Sequence, residues 1–251
     1  MSLALVRIVT RADDAGMAVA ANRGIENAVK HGLAKNISYM APGPAIEDAA
    51  NRLKDLPVDH GFHFTLNAEW KSPRWKPVAG QLPSLTESSG FFYPATQKLE
   101  LAAPEIREVE KEIRAQYEKL VSLGIPISYV DEHMGVGHIA GIGEHLAEFA
   151  EEKDLIFRPT IPPLPNKHGC MGDHPERVLC CLEDLQEGTY LLIAHPALAE
   201  GDMLQIRRFE HDADERSVAE DRKMQGKIFT DASIADLFKQ MDYKAIRYSE
   251  I

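Results

Sequence analysis

The 251-residue chain contains no run of about 18 consecutive apolar residues, which excludes a conventional membrane-spanning helix. Its three cysteines, Cys170, Cys180 and Cys181, lack the CxxC spacing of a zinc ribbon, and their odd number does not suit a disulfide framework. Cationic side chains are scarce: 28 Lys and Arg against 39 Asp and Glu give a net charge of −11. That deficit excludes the basic face that nucleic acid or an anionic membrane surface requires. The opening MSLALVRIVTRADD is too short and too early charged for a signal peptide, so a reducing cytoplasm is the expected location. No internal repeat or low-complexity tract interrupts the composition, and one domain over residues 1–251 is expected.

Short apolar runs alternate with longer helical patterns. Strands are expected at residues 3–10, 36–41, 60–67, 127–133, 155–159 and 189–196, and another in the closing KAIRYSEI. Helices are expected at 20–31, 43–56, 103–123, 143–153 and around 231–241. The longest carries Ile106, Val109, Ile113, Tyr117 and Leu120 on one stripe. Strands separated by helices of this length point to βαβ units: an α/β fold, a single-domain distorted (β/α) barrel with mostly parallel strands. Residues 70–100 break the rhythm with four prolines and two glycines, the mark of a functional loop inside a compact domain.

In such folds chemistry gathers at the carboxyl ends of the strands. The first strand is followed by Asp13-Asp14, the third holds His63 near its end, VDEH presents Asp131 and His133, and YLLIAH finishes at His195. Each feature has an ordinary reading on its own: adjacent aspartates can cap a helix, and a histidine between Phe62 and Phe64 can be a core residue. Together they define a site. One Asp with two His forms a mixed oxygen and nitrogen donor set for Zn²⁺ or another divalent cation. Asp14 can ligate while Asp13 stays free as a base, the cation offsetting the repulsion between neighbouring carboxylates. Asp131 suits the task of orienting a histidine. Trp70, Trp75, Phe91, Phe92 and Tyr93 bring aromatic faces that stack on sugar rings, and Arg158 follows a strand where it can meet a substrate hydroxyl or carboxylate. His138, His168 and His174 are assigned to surface loops. The residues alone leave open amide hydrolysis, phosphoester hydrolysis with Arg11 as the anion partner, and carbohydrate binding without turnover.

RADDAG, NRGI, GFHF, AQYEKL, VDEH and AHP, in this order, resemble the YdjC-like carbohydrate deacetylases, the chito-oligosaccharide deacetylase group, over about residues 7–245. The resemblance implies a distorted (β/α) barrel and a metal-dependent hydrolase that removes an N-acetyl group from a small amino sugar or oligosaccharide. It also implies one divalent metal ion, Zn²⁺ or Mg²⁺, on Asp14, His63 and His133, with Asp13 as base and His195 as acid. Arg11 stands where the family's first motif commonly has Asn, and Gly135 where a second histidine commonly follows VDEH. A small carbohydrate substrate follows as partner, and a homodimer is expected on base rates for soluble proteins.

Overall fold

A computed structural model describes residues 5–165, 174–183, 185–209 and 217–251. Cys170 and His168 lie outside the described residues. The first half runs β1 (Val6–Ala15), α1 (Val19–His31), β2 (Asn36–Tyr39), α2 (Ile46–Leu53), β3 (Asp59–Phe64), α3 (Thr96–Leu101) and α4 (Ile106–Ser122). The second half runs β4 (Ile127–Glu132), α5 (Ile142–Glu152), α6 (Pro175–Leu182), β5 (Gly188–Ala194), α7 (Val218–Thr230), α8 (Ala232–Gln240) and β6 (Lys244–Ile246). The strands pair in parallel in the order β4-β3-β2-β1-β5, with β6 beside the first half of β1. The chain is thus the α/β, parallel-stranded, distorted barrel that alternating strands and helices imply.

The stretch 155–159, expected as a strand, contributes a different kind of closure. Ile156 exchanges backbone hydrogen bonds with β4 at Ser128 and Val130, both 3.0 Å. Further on, Pro162 and Leu164 bond to Leu191 of β5 at 2.8 and 3.2 Å. This extended segment therefore spans the gap between β4 and β5 without forming a ladder of its own; Pro159, Pro162 and Pro163 remove the N–H groups a ladder needs.

Side chains alternate along each strand. Ile8 and Ala12 of β1, Phe62 and Phe64 of β3, and Leu192 and Ala194 of β5 face the helices and form the main core. The opposite face holds a small second core of Val9, Tyr129, Ile246 and Tyr248. Tyr129 and Tyr248 stack with ring centroids 4.4 Å apart. Gly61 of β3 makes that packing feasible, because a Cβ there would come within 2.2 Å of the Tyr129 ring. Above this floor the same face carries Arg11 and Asp13, Ser38, His63, Asp131 and, beyond β5, His195. No described helix is long and apolar enough to cross a membrane.

The 70–100 segment is held down by its own aromatics. Trp75 and Phe92 are buried, and the Trp75 indole donates to Asn67 O at 2.6 Å. Its base is fastened to α4 by Glu112, a fully buried carboxylate that accepts from the Val78 and Ala79 amides at 2.8 and 2.9 Å.

Candidate metal centre and catalytic cleft

The expected first strand stops at residue 10, but β1 runs through both aspartates to Ala15. It keeps register with β5 as far as Ala12, opposite Ala194, and its pairing with β2 shifts between Ala12 and Ala15. Asp14 sits at that irregularity with φ +67°, in the left-handed region. Strict alternation would send neighbouring side chains to opposite faces. The bulge and the left-handed turn redirect Asp14, so both carboxylates reach the same site. Neither caps a helix: the first amides of α1 are held by Asp202, whose Oδ2 accepts from Val19 at 2.6 Å and Oδ1 from Ala20 at 3.1 Å.

Three donors converge. Asp14 Oδ1 lies 3.3 Å from His133 Nδ1 and 3.6 Å from His63 Nε2, and the two ring nitrogens are 3.2 Å apart. Bonds of about 2.0–2.2 Å to one cation place their donors roughly 3–3.5 Å apart, so the triangle fits a divalent ion. Both Asp14 oxygens are buried without a hydrogen-bond donor, although an ionised carboxylate in such a place needs compensation. The histidines are oriented from behind. His63 faces Asp131 across the β3–β4 register and its Nδ1 lies 2.8 Å from Asp131 Oδ1. His133 Nε2 lies 3.0 Å from Glu69 Oε2. A carboxylate behind each imidazole fixes which nitrogen points to the cation.

Asp13 is held differently. Arg11, two residues before it on the same strand face, donates from Nε and Nη2 to its two oxygens at 2.7 and 2.8 Å. Arg11 Nη1 also meets Asp131 Oδ2 at 2.7 Å and Tyr248 Oη at 3.0 Å. Ser38 donates to Asp131 Oδ2 at 2.8 Å. Arg222 of α7 lies 3.2 Å from Asp14 Oδ2, with its guanidinium 5.7 Å from the Trp70 ring centroid.

Charge balance explains the paired aspartates. Asp13, Asp14, Asp131 and Glu69 face the two guanidiniums of Arg11 and Arg222, which leaves two negative charges to neutralise. Burial works against protonated His63, but Asp131 and Asp13 outweigh it and raise its pKa to about 10. His133, also opposed by burial, is raised to about 9 by Glu69 and Asp14. Desolvation disfavours a charged Asp14 as well, yet His195, Arg222 and the two histidines hold its pKa well below the usual carboxylate range. Two protons on imidazoles therefore supply the charge that one divalent cation would bring.

The cluster lies at the bottom of a cleft of about 640 Å³ whose walls include Trp70, Met134, His195, Asp221, Arg222 and Gln225. Asp13, Asp14, Asp131, His63, His133, His195 and Trp70 are thus brought together. Loss of hydration lowers the pKa of His195 and Arg222 adds to that effect, while Asp14, Asp13 and Gln225 work against it. Arg158 is exposed and lines a smaller neighbouring cleft that shares Arg11, Asp131 and Gly135 with the site. Phe92 does not join: its ring is fully buried and the residue bridges to Thr86, so it secures the loop and offers no face to a sugar. His138 is exposed, as expected of a loop residue, whereas His174 immediately precedes α6. The residues that went unread are Glu69, Asp221, Arg222 and Gln225. They arise from an irregular loop and a helix interior, where only the acidic and basic letters of AEDRKMQ hint at a site.

A parallel α/β barrel carrying an Asp/His cluster at the carboxyl ends of its strands has a donor set that could hold a divalent cation beside a cleft. Residues 7–240 match the sequence profile of the YdjC-like protein family, and the chain belongs to that family. A carbohydrate deacetylase of Thermoanaerobacter pseudethanolicus is 25% identical over 265 residues, covering 96% of this chain and 98% of that protein. A chitooligosaccharide deacetylase of Proteus mirabilis is 31% identical over 153 residues, 60% of this chain and 58% of its own. A solved structure from Enterococcus faecalis V583, assigned provisionally to cellobiose-phosphate cleavage, superposes with a TM-score of 0.77 at 17% identity and covers 98% of both chains. At that identity the likeness speaks for the fold.

Proposed function

We propose that this protein is a metal-dependent carbohydrate N-deacetylase that hydrolyses the acetamide of a small amino sugar or oligosaccharide. The observation that carries the reading is the convergence of Asp14, His63 and His133, with both Asp14 oxygens buried and accepting no hydrogen bond. Relatives along the chain named as carbohydrate deacetylases support the substrate class.

A divalent cation on these three residues would supply Lewis-acid polarisation of the acyl carbonyl and make water easier to deprotonate. Asp13 takes the proton from the attacking water. Its two oxygens are each engaged by Arg11, which fixes the carboxylate plane while leaving each oxygen a second acceptor position. His195 takes up a proton at Nε2, gives it to the departing sugar amine and returns to the neutral ring. Its lowered pKa makes it a stronger acid once protonated. Trp70 offers a ring face at the cleft wall, and Asp131 keeps Nδ1 of His63 turned away from the donor triangle. Phosphoester hydrolysis is the weaker reading, because Arg11, the cation it would rest on, is committed to Asp13 and Asp131.

The test is acetate release from N-acetylated sugars by stripped protein reloaded with Zn²⁺, Mg²⁺, Mn²⁺ or Co²⁺, with His63→Ala as control. Metal-restored release absent from the control is the expected outcome; metal binding without acetate from any acetamido sugar refutes the substrate class. Asp13→Asn should bind metal at the wild-type stoichiometry yet lose roughly 10²–10⁴ in kcat. A near-full rate in that variant would remove Asp13 from the role of base.

A further inference from the structure

We propose that Gln225 is a positioning residue which fixes His195 as its Nδ1–H tautomer and so leaves Nε2 as the nitrogen available to the cleft, with Asp221 holding the Gln225 amide the right way round. The inference rests on the reading of His195 as proton donor, and its argument is geometric.

One end of the Gln225 amide meets two atoms of His195, the backbone nitrogen at 3.0 Å and Nδ1 at 2.7 Å. A backbone N–H can only donate, so the atom facing it is the amide oxygen. The other end lies 3.2 Å from Asp221 Oδ2, and an ionised carboxylate can only accept, so that end is the NH₂ group. The two ends give the same orientation independently. An amide oxygen against Nδ1 requires a hydrogen on Nδ1, and in the neutral imidazole Nε2 is then the bare nitrogen. Among the described residues Nε2 has no hydrogen-bond partner, while the ring lines the cleft beside Asp13, Arg222 and His63.

The sequence sets this up with economy. Asp221 and Gln225 stand four apart on α7, one above the other on a single face. Arg222, between them, reaches Asp14, and its carbonyl accepts from the Ala197 amide at 3.2 Å. One helix therefore holds the acid histidine, the turn that follows it and a ligand aspartate. Proton transfer at Nε2 needs the correct tautomer and a fixed ring plane. A lone imidazole after a strand end would have neither, since both tautomers and ring flips would be open to it.

The experiment uses full-length, Zn²⁺-loaded protein with ¹⁵N-labelled histidine, read by imidazole ¹⁵N–¹H correlation. His195 is assigned by the signal lost in His195→Gln. Wild type should show His195 as Nδ1–H at neutral pH. Gln225→Met, similar in volume, should shift it to mixed or Nε2–H signals and lower kcat roughly 10–100-fold with KM and metal stoichiometry unchanged. Gln225→Glu retains an oxygen for both contacts and should restore the Nδ1–H pattern. Asp221→Ala, which leaves the His195 contact in place but frees the amide to turn over, should give a mixture even if the Met variant fails to fold. An Nε2–H signal in wild type, or an unchanged tautomer in both Gln225→Met and Asp221→Ala, overturns the proposal. Nδ1–H together with no acetate release from any sugar supports the tautomer assignment and counts against the deacetylase reading alone.

Discussion

Metal loading at neutral pH should expel about two protons. To ligate, His63 Nε2 and His133 Nδ1 must be bare. In the metal-free site burial opposes protonation of both rings, but Asp131 and Asp13 raise His63 to about 10, and Glu69 with Asp14 raise His133 to about 9. With both raised above 7, each ring is expected to carry its second proton at pH 7. Removing them costs about 1.4 kcal/mol per pH unit, roughly 7 kcal/mol for the pair. The apparent metal affinity at pH 7 should therefore be on the order of 10⁵ weaker than above pH 10, and should rise about 100-fold per pH unit below pH 9. Calorimetric titration at pH 7 in buffers of different ionisation enthalpy reads the protons released directly. The stability of the metal-free protein must follow the same linkage. A histidine whose folded pKa is raised contributes stability that is fully present below its unfolded value near 6.5 and is lost as pH rises through about 9 to 10. Stripped protein should thus melt at a lower temperature at pH 10 than at pH 7, and loaded protein should not show that loss. Titrations that release no proton in any buffer would refute the charge-balance reasoning, because the histidines would then be neutral in the free site.

Two packing predictions separate catalysis from scaffold. At Gly24 of α1 a Cβ would lie 2.5 Å from Ala197 Cα and 2.8 Å from Pro196 C, all backbone that cannot rotate away. Gly24→Ala should cost about 1–3 kcal/mol in thermal unfolding and reduce kcat by displacing His195, while metal affinity stays near wild type. Asp202→Ala should lower the melting temperature by the loss of the α1 cap, about 1 kcal/mol, without changing metal stoichiometry. A change in stoichiometry there would show that the cap and the metal centre are not separate.

The clustering of His63, Asp131 and His133 was legible because strand alternation is a rule with few exceptions. Tyr129, Asp131 and His133 share a face by period two, and parallel pairing places His63 opposite Asp131. The same rule, applied strictly, would have turned Asp14 away from Asp13. Only the left-handed bulge brings it back, and nothing in the letters DDAG announces a positive φ at the second aspartate. Helix residues were harder still. Arg222 and Gln225 are defined by what α7 packs against, and that is a property of tertiary placement rather than of local spacing. Phe92 misled for a related reason: an aromatic in a proline-rich loop can face a sugar or pin the loop to the core, and only burial tells the two apart.

The barrel floor has a consequence for the timing of assembly. Arg11, which clamps Asp13, donates one of its hydrogen bonds to the hydroxyl of Tyr248, 237 positions later, and the Tyr248 amide in turn donates to Asn36 Oδ1 at 2.9 Å. During synthesis Asp14, His63 and His133, the proposed ligands, emerge long before the tyrosine that steadies Arg11. The proposed donor triangle is therefore synthesised before the stretch that completes the support beneath Asp13. Tyr248→Phe, which keeps the ring in the second core and removes only the hydroxyl that accepts from Arg11, should consequently be felt in rate before it is felt in folding.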